Sequence, residues 1–151
     1  MIITFLGHRS LIYNDMLFQR LQETIMEHLI PNEKTLFYCG GYGDFDHLSV
    51  KACREVQKKE ANCEIVFVTP YMILSKQVGN TDIALYDSVL YPPLEKVPPK
   101  FAISRRNEWM IDQADLIIAY VTYSHGGAYT GMKYAKRKQK RVINLAEEFL
   151  M

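Results

Sequence analysis

Short apolar runs, each followed by a turn and then by a segment of helical periodicity, constrain the fold of this chain most strongly. This order is typical of parallel βαβ units. Most of the runs lack the alternation of a half-exposed strand, which indicates strands covered on both faces. The sequence therefore predicts a doubly wound α/β domain with a mainly parallel sheet and helices on both faces. The predicted strands are residues 2–6, 35–39, 64–68, 88–91, 116–121 and 141–145.

Apolar residues three and four positions apart predict the helices between these strands. Residues 105–114 have a mixed pattern, with Ile111 on one stripe and Trp109 on another, so this helix should present a polar edge beside an apolar face. The other helical stripes are Phe18, Leu21, Ile25 and Leu29, then Leu48, Ala52 and Val56, and last Ala128, Met132 and Ala135.

Length and composition favour one globular domain that spans residues 1–151. Hydrophobic residues make up 48% of the 151 positions and charged residues 23%, which is typical of a chain with a buried core rather than of a disordered one. A net charge of +1 gives no overall field to attract a polyanion or a membrane. Residues 70–99 have the weakest patterns and several prolines, so they are expected to form a loop or a lid.

The cysteines, the histidines and the amino terminus argue against several classes of protein. Three cysteines without CxxC spacing argue against a disulfide framework and a structural zinc site, which favours a reducing, cytoplasmic setting. The four histidines lack metal-binding spacing, so no metal is expected. No resident cofactor is expected either. The first apolar run is too short for a signal peptide or a membrane span, so no membrane partner is expected.

Ligands of an open α/β sheet bind at the loops that follow the carboxyl ends of the strands. After the first strand, Gly7 permits a close backbone approach, and Arg9 offers a forked donor for a phosphate or a carboxylate. An ordinary turn with a solvated arginine explains the same residues equally well.

The loop after the second strand has glycine at three of four consecutive positions, Gly40, Gly41 and Gly43. Their backbone N–H groups can face an anion at the positive end of the next helix. Asp44 either caps that helix or accepts a hydrogen bond from a ribose hydroxyl, and capping requires no ligand. The glycine spacing and the missing lysine exclude a Walker loop.

The loop before the last long helix gives the strongest local indication of a ligand. Gly126 and Gly127 stand at the predicted start of the helix, and Thr130 adds a hydroxyl one turn later. Exposed N–H groups at a helix start suit a phosphate. We therefore expect this loop to hold the phosphate of a ligand, and a plain turn is the alternative.

Taken in order, the segments 7–9, 39–44, 104–110, 114–119 and 126–130 resemble the SLOG superfamily, which includes the LOG, DprA and YpsA-like proteins. The resemblance covers most of the chain. It implies a Rossmann-like fold that binds nucleotides or their derivatives, and it implies a homodimer or larger homo-oligomer. By the same resemblance, Arg105 or Arg106 approaches the phosphate and Asn107 lies beside it.

The LOG enzymes of this superfamily hydrolyse the N-glycosidic bond of a nucleoside monophosphate with a PGGxGTxxE motif. The aligned stretch here retains two glycines and the threonine of that motif, but Lys133 stands where the motif has glutamate. A protonated lysine cannot act as the catalytic base. The resemblance therefore supports phosphate binding, and Glu108 and Asp44 are the candidate replacements if the chain is an enzyme.

Three functions remain open at this point. The first is a nucleotide-binding sensor, sequestering protein or regulatory module. The second is an N-glycosidic enzyme, either a nucleotide phosphoribohydrolase or an enzyme similar to the nucleoside deoxyribosyltransferases. It would need one carboxylate from Asp44, Asp82, Asp87 or Glu108. The third is DprA-like binding of nucleic acid through the basic cluster 133–141. Aromatic residues are not interleaved there for base stacking, so nucleic acid is not the expected partner.

Overall fold

The computed structural model describes residues 1–72, 77–78 and 81–149. Its centre is a six-stranded sheet in which every neighbouring pair of strands is parallel. In chain order the strands are β1 (Ile2–Gly7), β2 (Thr35–Cys39), β3 (Cys63–Val68), β4 (Gln77–Val78), β5 (Thr81–Asp82), β6 (Ser88–Leu90), β7 (Leu116–Tyr120) and β8 (Val142–Asn144). The order across the sheet is β6-β3-β2-β1-β7-β8, and β4 pairs with β5 in a separate antiparallel hairpin.

Helices cover both faces of the sheet, which confirms the predicted α/β class. The helices are α1 (Asp15–His28), α2 (Asp44–Lys59), α3 (Ala102–Gln113), α4 (Gly126–Arg137) and α5 (Ala146–Phe149). Alternate strand residues face opposite layers. Ile3 and Phe5 pack in one core with residues of α1 and α2, whereas Leu6 packs in another core with residues of α3 and α4.

The predicted strands agree with the six strands of the central sheet to within one residue at each end, whereas β4 and β5 were not predicted. The helix predicted from residue 105 begins earlier, at Ala102, because the 3₁₀ turn Pro99–Phe101 leads directly into it. Much of the segment 70–99, expected to be a loop or lid, has a defined conformation that includes β6 and the 3₁₀ turn Ile83–Leu85. Positions 73–76 and 79–80, where a lid was also expected, lie outside the described residues.

The topology places a crevice between β1 and β7. From β1 the chain moves outward through β2 and β3 to β6, and then returns to add β7 on the opposite side of β1. The loops after β1 and β7 therefore leave the sheet toward opposite layers at the same carboxyl edge. Open α/β sheets bind their ligands at such a point.

Two further properties concern the surface and the cysteines. In the portion of the chain that the structure describes, no helix has the length and apolar character needed to cross a membrane. Cys39, Cys53 and Cys63 are unpaired and buried. These thiols pack as small apolar side chains in the core.

Candidate functional site

A cleft of about 510 Å³ lies at the crevice between β1 and β7. The β1–α1 loop forms one wall, and the residues that follow β7 form the other. The side chains are mainly aromatic and aliphatic, with a few hydroxyl, amide and imidazole groups among them, a mixture typical of small-molecule sites. The lining residues are His8, Ser10, Leu11, Ile12, Tyr13, Asn14, Tyr120, Thr122 and Tyr123.

His8 is the most buried polar side chain of this cleft, with 5% of its surface exposed. Its Nε2 atom accepts a hydrogen bond of 2.9 Å from the backbone N–H of Thr122, which joins the loops after β1 and β7. Burial, and then the nearby His125, lower the pKa of His8 below its ordinary value. The ring is therefore neutral at pH 7, and it carries its proton on Nδ1.

Aromatic stacking orders the wall of the cleft that follows β7. The Tyr123 ring stacks on His8 with a centroid distance of 3.7 Å and on His125 with a centroid distance of 4.3 Å. Tyr123 is still 43% exposed, so part of this aromatic group faces solvent. No local sequence pattern indicates this stack, because its three rings come from the loops after two different strands.

The start of α4 lies next to this stack. His125 is the residue before the helix, and its side chain makes no capping hydrogen bond. A methyl group added at Gly127 would meet no heavy atom within 4 Å, so the first turn opens into free space. Thr130 donates its hydroxyl proton to the carbonyl oxygen of Gly126 at 3.0 Å, and its oxygen can still accept a hydrogen bond.

Packing between two loops accounts for several of the other predicted site residues. A Cβ on Gly7 would lie 2.2 Å from the Phe45 ring, so glycine at this position lets α2 pack on β1. Gly43 has φ of +96°, and a Cβ there would lie 2.8 Å from Cα of Arg9. The Arg9 side chain itself is exposed at the edge of this contact.

Asp44 does not cap α2, which corrects one of its two predicted roles. The positive φ of Gly43 makes that glycine the residue before the helix, and Asp44 is already its first residue. The Asp44 Oδ2 atom instead accepts a hydrogen bond of 3.0 Å from the backbone N–H of Leu11, while the Asp44 N–H donates to the carbonyl oxygen of Arg9. Asp44 therefore holds the β1–α1 loop against the loop after β2.

The two neighbouring arginines of α3 have opposite environments. Arg106 is 1% exposed, and its Nη1 donates to the carbonyl oxygens of Gly40 at 2.8 Å and Val68 at 2.7 Å. Its Nε donates to Oδ1 of Asn107 at 2.9 Å. Arg106 therefore links the carboxyl ends of β2 and β3 from inside the protein. Of the two arginines, the exposed Arg105 is the one that a ligand can reach from solvent.

Asp46 is a further candidate site residue, and it was not predicted from the sequence. Its Oδ2 accepts a hydrogen bond of 2.9 Å from the backbone N–H of Tyr42. Part of the residue remains accessible, yet loss of solvation dominates at the carboxyl group and raises its pKa to about 6, against the lowering influence of Arg106. The sequence signal was the position of Asp46 in the first turn of a helix, three residues after Gly43, where an acidic side chain often bonds back to the preceding backbone.

The remaining predicted site residues lie elsewhere. Arg105 and Glu108 form an ion pair of 3.6 Å on the outer face of α3, where they line a separate cleft of about 460 Å³ with Trp109 and Tyr134. Glu108 and Asp44 therefore stand on different helices and do not form a carboxylate pair. Among the described residues, no group of three histidine, cysteine or acidic side chains is arranged to hold a metal ion.

The basic cluster 133–141 lies away from the cleft. It follows α4 toward the amino end of β8, the opposite edge of the sheet. Lys140 donates from Nζ to the carbonyl oxygens of Asp112 and Ala114, and the Arg141 guanidinium contacts Nε2 of His28 at 3.1 Å. These two cations thus have partners within the chain.

One solved structure with a similar fold is the Moco carrier protein of Chlamydomonas rheinhardtii. The similarity has a TM-score of 0.54 at 14% sequence identity, and it covers 99% of this chain and 80% of that protein. At so low an identity the likeness concerns the fold, and it confirms the Rossmann-like α/β architecture. No protein-family model matches the sequence, and no curated protein matches it.

Proposed function

We propose that this protein is a nucleotide-binding module that holds a phosphate-bearing, nucleotide-like molecule at the carboxyl edge of its sheet. The observation that carries the proposal is the adjacency of two features at one topological switch point. One is the aromatic cleft between β1 and β7, and the other is the uncapped, open start of α4. A planar ring and a phosphate require these two environments side by side.

The cleft supports binding of the planar part of the ligand. Aromatic side chains contribute large contact areas to stacked rings, and Tyr13, Tyr120 and Tyr123 all line this space. Neutral His8 can offer its Nδ1 proton to an acceptor on the ligand while Nε2 stays bonded to the backbone of Thr122.

The start of α4 supports binding of the phosphate. The first N–H groups of a helix have no partners within the helix, and they lie at the positive end of its dipole. Gly126 and Gly127 keep this end free of side chains, so an anion can approach the backbone closely. The Thr130 hydroxyl oxygen stands one turn further along the same helix.

The fold neighbour adds general support, because it is named as a carrier of Moco and thus as a protein that binds a small molecule. The SLOG assignment is part of the proposal and rests on the residue pattern given above. The same resemblance is the basis for proposing a homodimer, whereas the cytoplasmic setting is proposed from the three cysteines without disulfide or zinc spacing. Light scattering of the purified protein at high concentration tests the dimer, and a monomer would contradict it.

The proposal concerns binding without catalysis. Lys133 occupies the position of the LOG glutamate, and its Nζ lies 5.6 Å from the centre of the Tyr129 ring. Asp44 is engaged by the backbone of Leu11, and Glu108 pairs with Arg105. Neither Asp44 nor Glu108 therefore stands beside the cleft as an unengaged acid or base.

Isothermal calorimetry with AMP, GMP, CMP and UMP tests the proposal on the wild type and two variants. Gly127→Asp places a carboxylate in the open space at the start of α4. It suits the helix dipole, so the fold should persist, but it repels a phosphate. Gly127→Ala is the matched control, since the methyl group meets no neighbour.

We expect at least one nucleotide to bind the wild type and Gly127→Ala, and to lose at least tenfold in affinity for Gly127→Asp. The proposal would be wrong if no nucleotide bound. It would also be wrong if Gly127→Asp bound as tightly as the control.

A further inference from the structure

A second cavity, of about 320 Å³, lies at the amino edge of the sheet, in the layer that α1 and α2 cover. We call it the amino-edge cavity. Aliphatic side chains from the end of α1 form much of its wall, and carboxyl, amide and hydroxyl groups stand among them. Its volume is at the lower end of the range for small-molecule sites. The lining residues are Met26, Leu29, Ile30, Pro31, Asn32, Glu33, Thr35, Glu60, Asn62 and Cys63.

The Thr35 hydroxyl is the first indication of a ligand. Thr35 begins β2 and is 1% exposed. Because side chains alternate along a strand, it faces the same layer as Phe37 and Cys39, which pack with α1 and α2. Its backbone N–H donates to the carbonyl oxygen of Asn62, but its hydroxyl has no hydrogen-bond partner in the described part of the chain. Such a hydroxyl requires an explanation.

The same hydroxyl is open to the cavity. Within the described residues, the Tyr42 hydroxyl is the one fully enclosed side-chain polar atom without a partner, so the Thr35 oxygen retains a small accessible surface. The amino-edge cavity is the space that Thr35 lines. Thr35 and Cys63 are paired in register on neighbouring strands, so they lie about 5 Å apart at the inner end of the cavity.

The electrostatic potential in the cavity is negative. Glu60 follows α2 and lines the cavity, and among the described residues it belongs to no ion pair within 4.0 Å. Burial, and then the charge of Glu60, raise the pKa of the Cys63 thiol, so the field of Glu60 reaches the inner end of the cavity. The carboxyl ends of α1 and α2 also lie at this edge, and such helix ends carry a partial negative charge.

The nearby cations leave this carboxylate unpaired. The Met1 ammonium group contacts Oε1 of Glu33 at 3.1 Å. Lys34 forms a separate ion pair, and neither Lys34 nor Lys59 lines the cavity. A cation that enters the cavity would therefore find Glu60 free to bind it.

These features favour a small primary amine with a polar group at its far end. An ammonium group would form a charge-assisted hydrogen bond with Glu60, whereas the carboxylate would repel an anion. An aliphatic chain would bury apolar surface against Leu29 and Ile30. A hydroxyl at the far end would pair with the Thr35 hydroxyl, since each can donate and accept. A lysine side chain of a partner protein has no polar group beyond its ammonium, so it would leave Thr35 unpaired.

We infer that the amino-edge cavity binds a small amino alcohol. Its ammonium group pairs with Glu60, its aliphatic chain lies along Leu29 and Ile30, and its hydroxyl bonds to the hydroxyl of Thr35. This site is independent of the proposed function, because it lies at the opposite edge of the sheet from the cleft between β1 and β7. The protein thus has a second ligand site, and this one takes a cation.

NMR titration of the ¹⁵N-labelled protein in buffer of low ionic strength tests this inference. The probes are 3-amino-1-propanol, 4-amino-1-butanol and 5-amino-1-pentanol. The probe that binds most tightly is then compared with the diol and the alkylamine of the same chain length. The diol lacks the ammonium group, and the alkylamine lacks the hydroxyl. The backbone amides of Glu33, Thr35, Asn62 and Cys63 should shift.

Three variants assign the roles of the side chains. Glu60→Gln removes the charge at an exposed position, and Thr35→Val replaces the hydroxyl by a methyl group of similar size. Glu55→Gln is the matched control, because Glu55 lies on α2 without lining the cavity. In urea unfolding Thr35→Val should be at least as stable as the wild type, since it breaks no internal hydrogen bond. If Thr35→Val fails to fold, the two analogues decide the question with the wild type and Glu60→Gln.

In the wild type and Glu55→Gln, the amino alcohol should bind with a dissociation constant of about 1 mM. It should bind about tenfold tighter than the diol and about fivefold tighter than the alkylamine. In Glu60→Gln the advantage over the diol should disappear. In Thr35→Val the advantage over the alkylamine should disappear.

Equal binding of the amino alcohol and the diol by the wild type would overturn the inference. An unchanged preference in Glu60→Gln or in Thr35→Val would overturn it too, and so would the absence of shifts at the cavity amides with about 100 mM amino alcohol. Each of these outcomes leaves the proposed function intact, because nucleotide binding is tested at the opposite edge through Gly127→Asp.

Discussion

Replacement of Arg106 by methionine should lower the free energy of unfolding by about 3 kcal/mol and leave the protein folded. The guanidinium donates to the carbonyl oxygens of Gly40 and Val68 and to the Asn107 side chain. Each buried carbonyl left without a donor costs about 1–3 kcal/mol. Relief of the buried charge offsets part of this loss, because methionine needs no solvation. A domain typically has about 5–15 kcal/mol of stability, so the variant should remain folded.

Urea denaturation followed by the fluorescence of the single tryptophan measures this effect. Trp109 stacks on Tyr38 of β2 with a centroid distance of 5.7 Å, so its signal reports the docking of α3 on the sheet. Arg105→Met is the matched control. Arg105 is exposed and holds one ion pair, which is worth less than about 1 kcal/mol. The reasoning would be refuted if Arg106→Met cost less than about 1 kcal/mol, or no more than Arg105→Met.

Three further predictions concern a glycine and two titrating groups. Gly7→Ala should lower the free energy of unfolding in urea by about 3 kcal/mol, because the added Cβ overlaps the Phe45 ring. A second substitution, Phe45→Leu, should recover part of this loss. An unchanged stability of Gly7→Ala would contradict the packing. As pH rises from about 4 to 6, the free energy of unfolding of the wild type should fall by up to about 3 kcal/mol relative to that of Asp46→Asn. The reason is that the folded protein keeps the Asp46 proton up to pH about 6, whereas the unfolded chain releases it near 3.8; a difference independent of pH in urea titrations would contradict this. An NMR titration should give His8 a pKa below the ordinary 6.5. The contribution of His8 to stability is therefore present above pH 6.5 and is lost as pH falls. A midpoint above 6.5 would contradict the buried, neutral ring.

Much of the fold could be predicted from the sequence because strands covered on both faces are continuous apolar runs. Ile117 and Ile118 belong to different cores on opposite sides of the sheet, yet each needs only to be apolar. Glycines before predicted helices also located the strand-end loops correctly. The start of α3 was harder to predict, because a 3₁₀ turn precedes it without a clear capping residue.

The details of the candidate site depend on contacts between distant segments, which local patterns do not contain. Arg105 and Arg106 are equivalent as sequence, but only Arg106 lies on the buried stripe with Ala102 and Met110. Gly7, at the end of β1, is needed for contact with Phe45 of α2, and the pattern around Gly7 contains no sign of that contact. Asp46 becomes notable only when Gly40 and Arg106 surround its carboxyl group.

A titration of the ¹⁵N-labelled protein with AMP, or with whichever monophosphate binds, followed by NMR of the backbone amides, tests the central claim most directly. The account predicts the largest shifts at the start of α4, in Gly126, Gly127 and Ala128, and across the cleft in Thr122 and Tyr123. Shifts confined to the outer face of α3, or the absence of any shift at millimolar nucleotide, would contradict it.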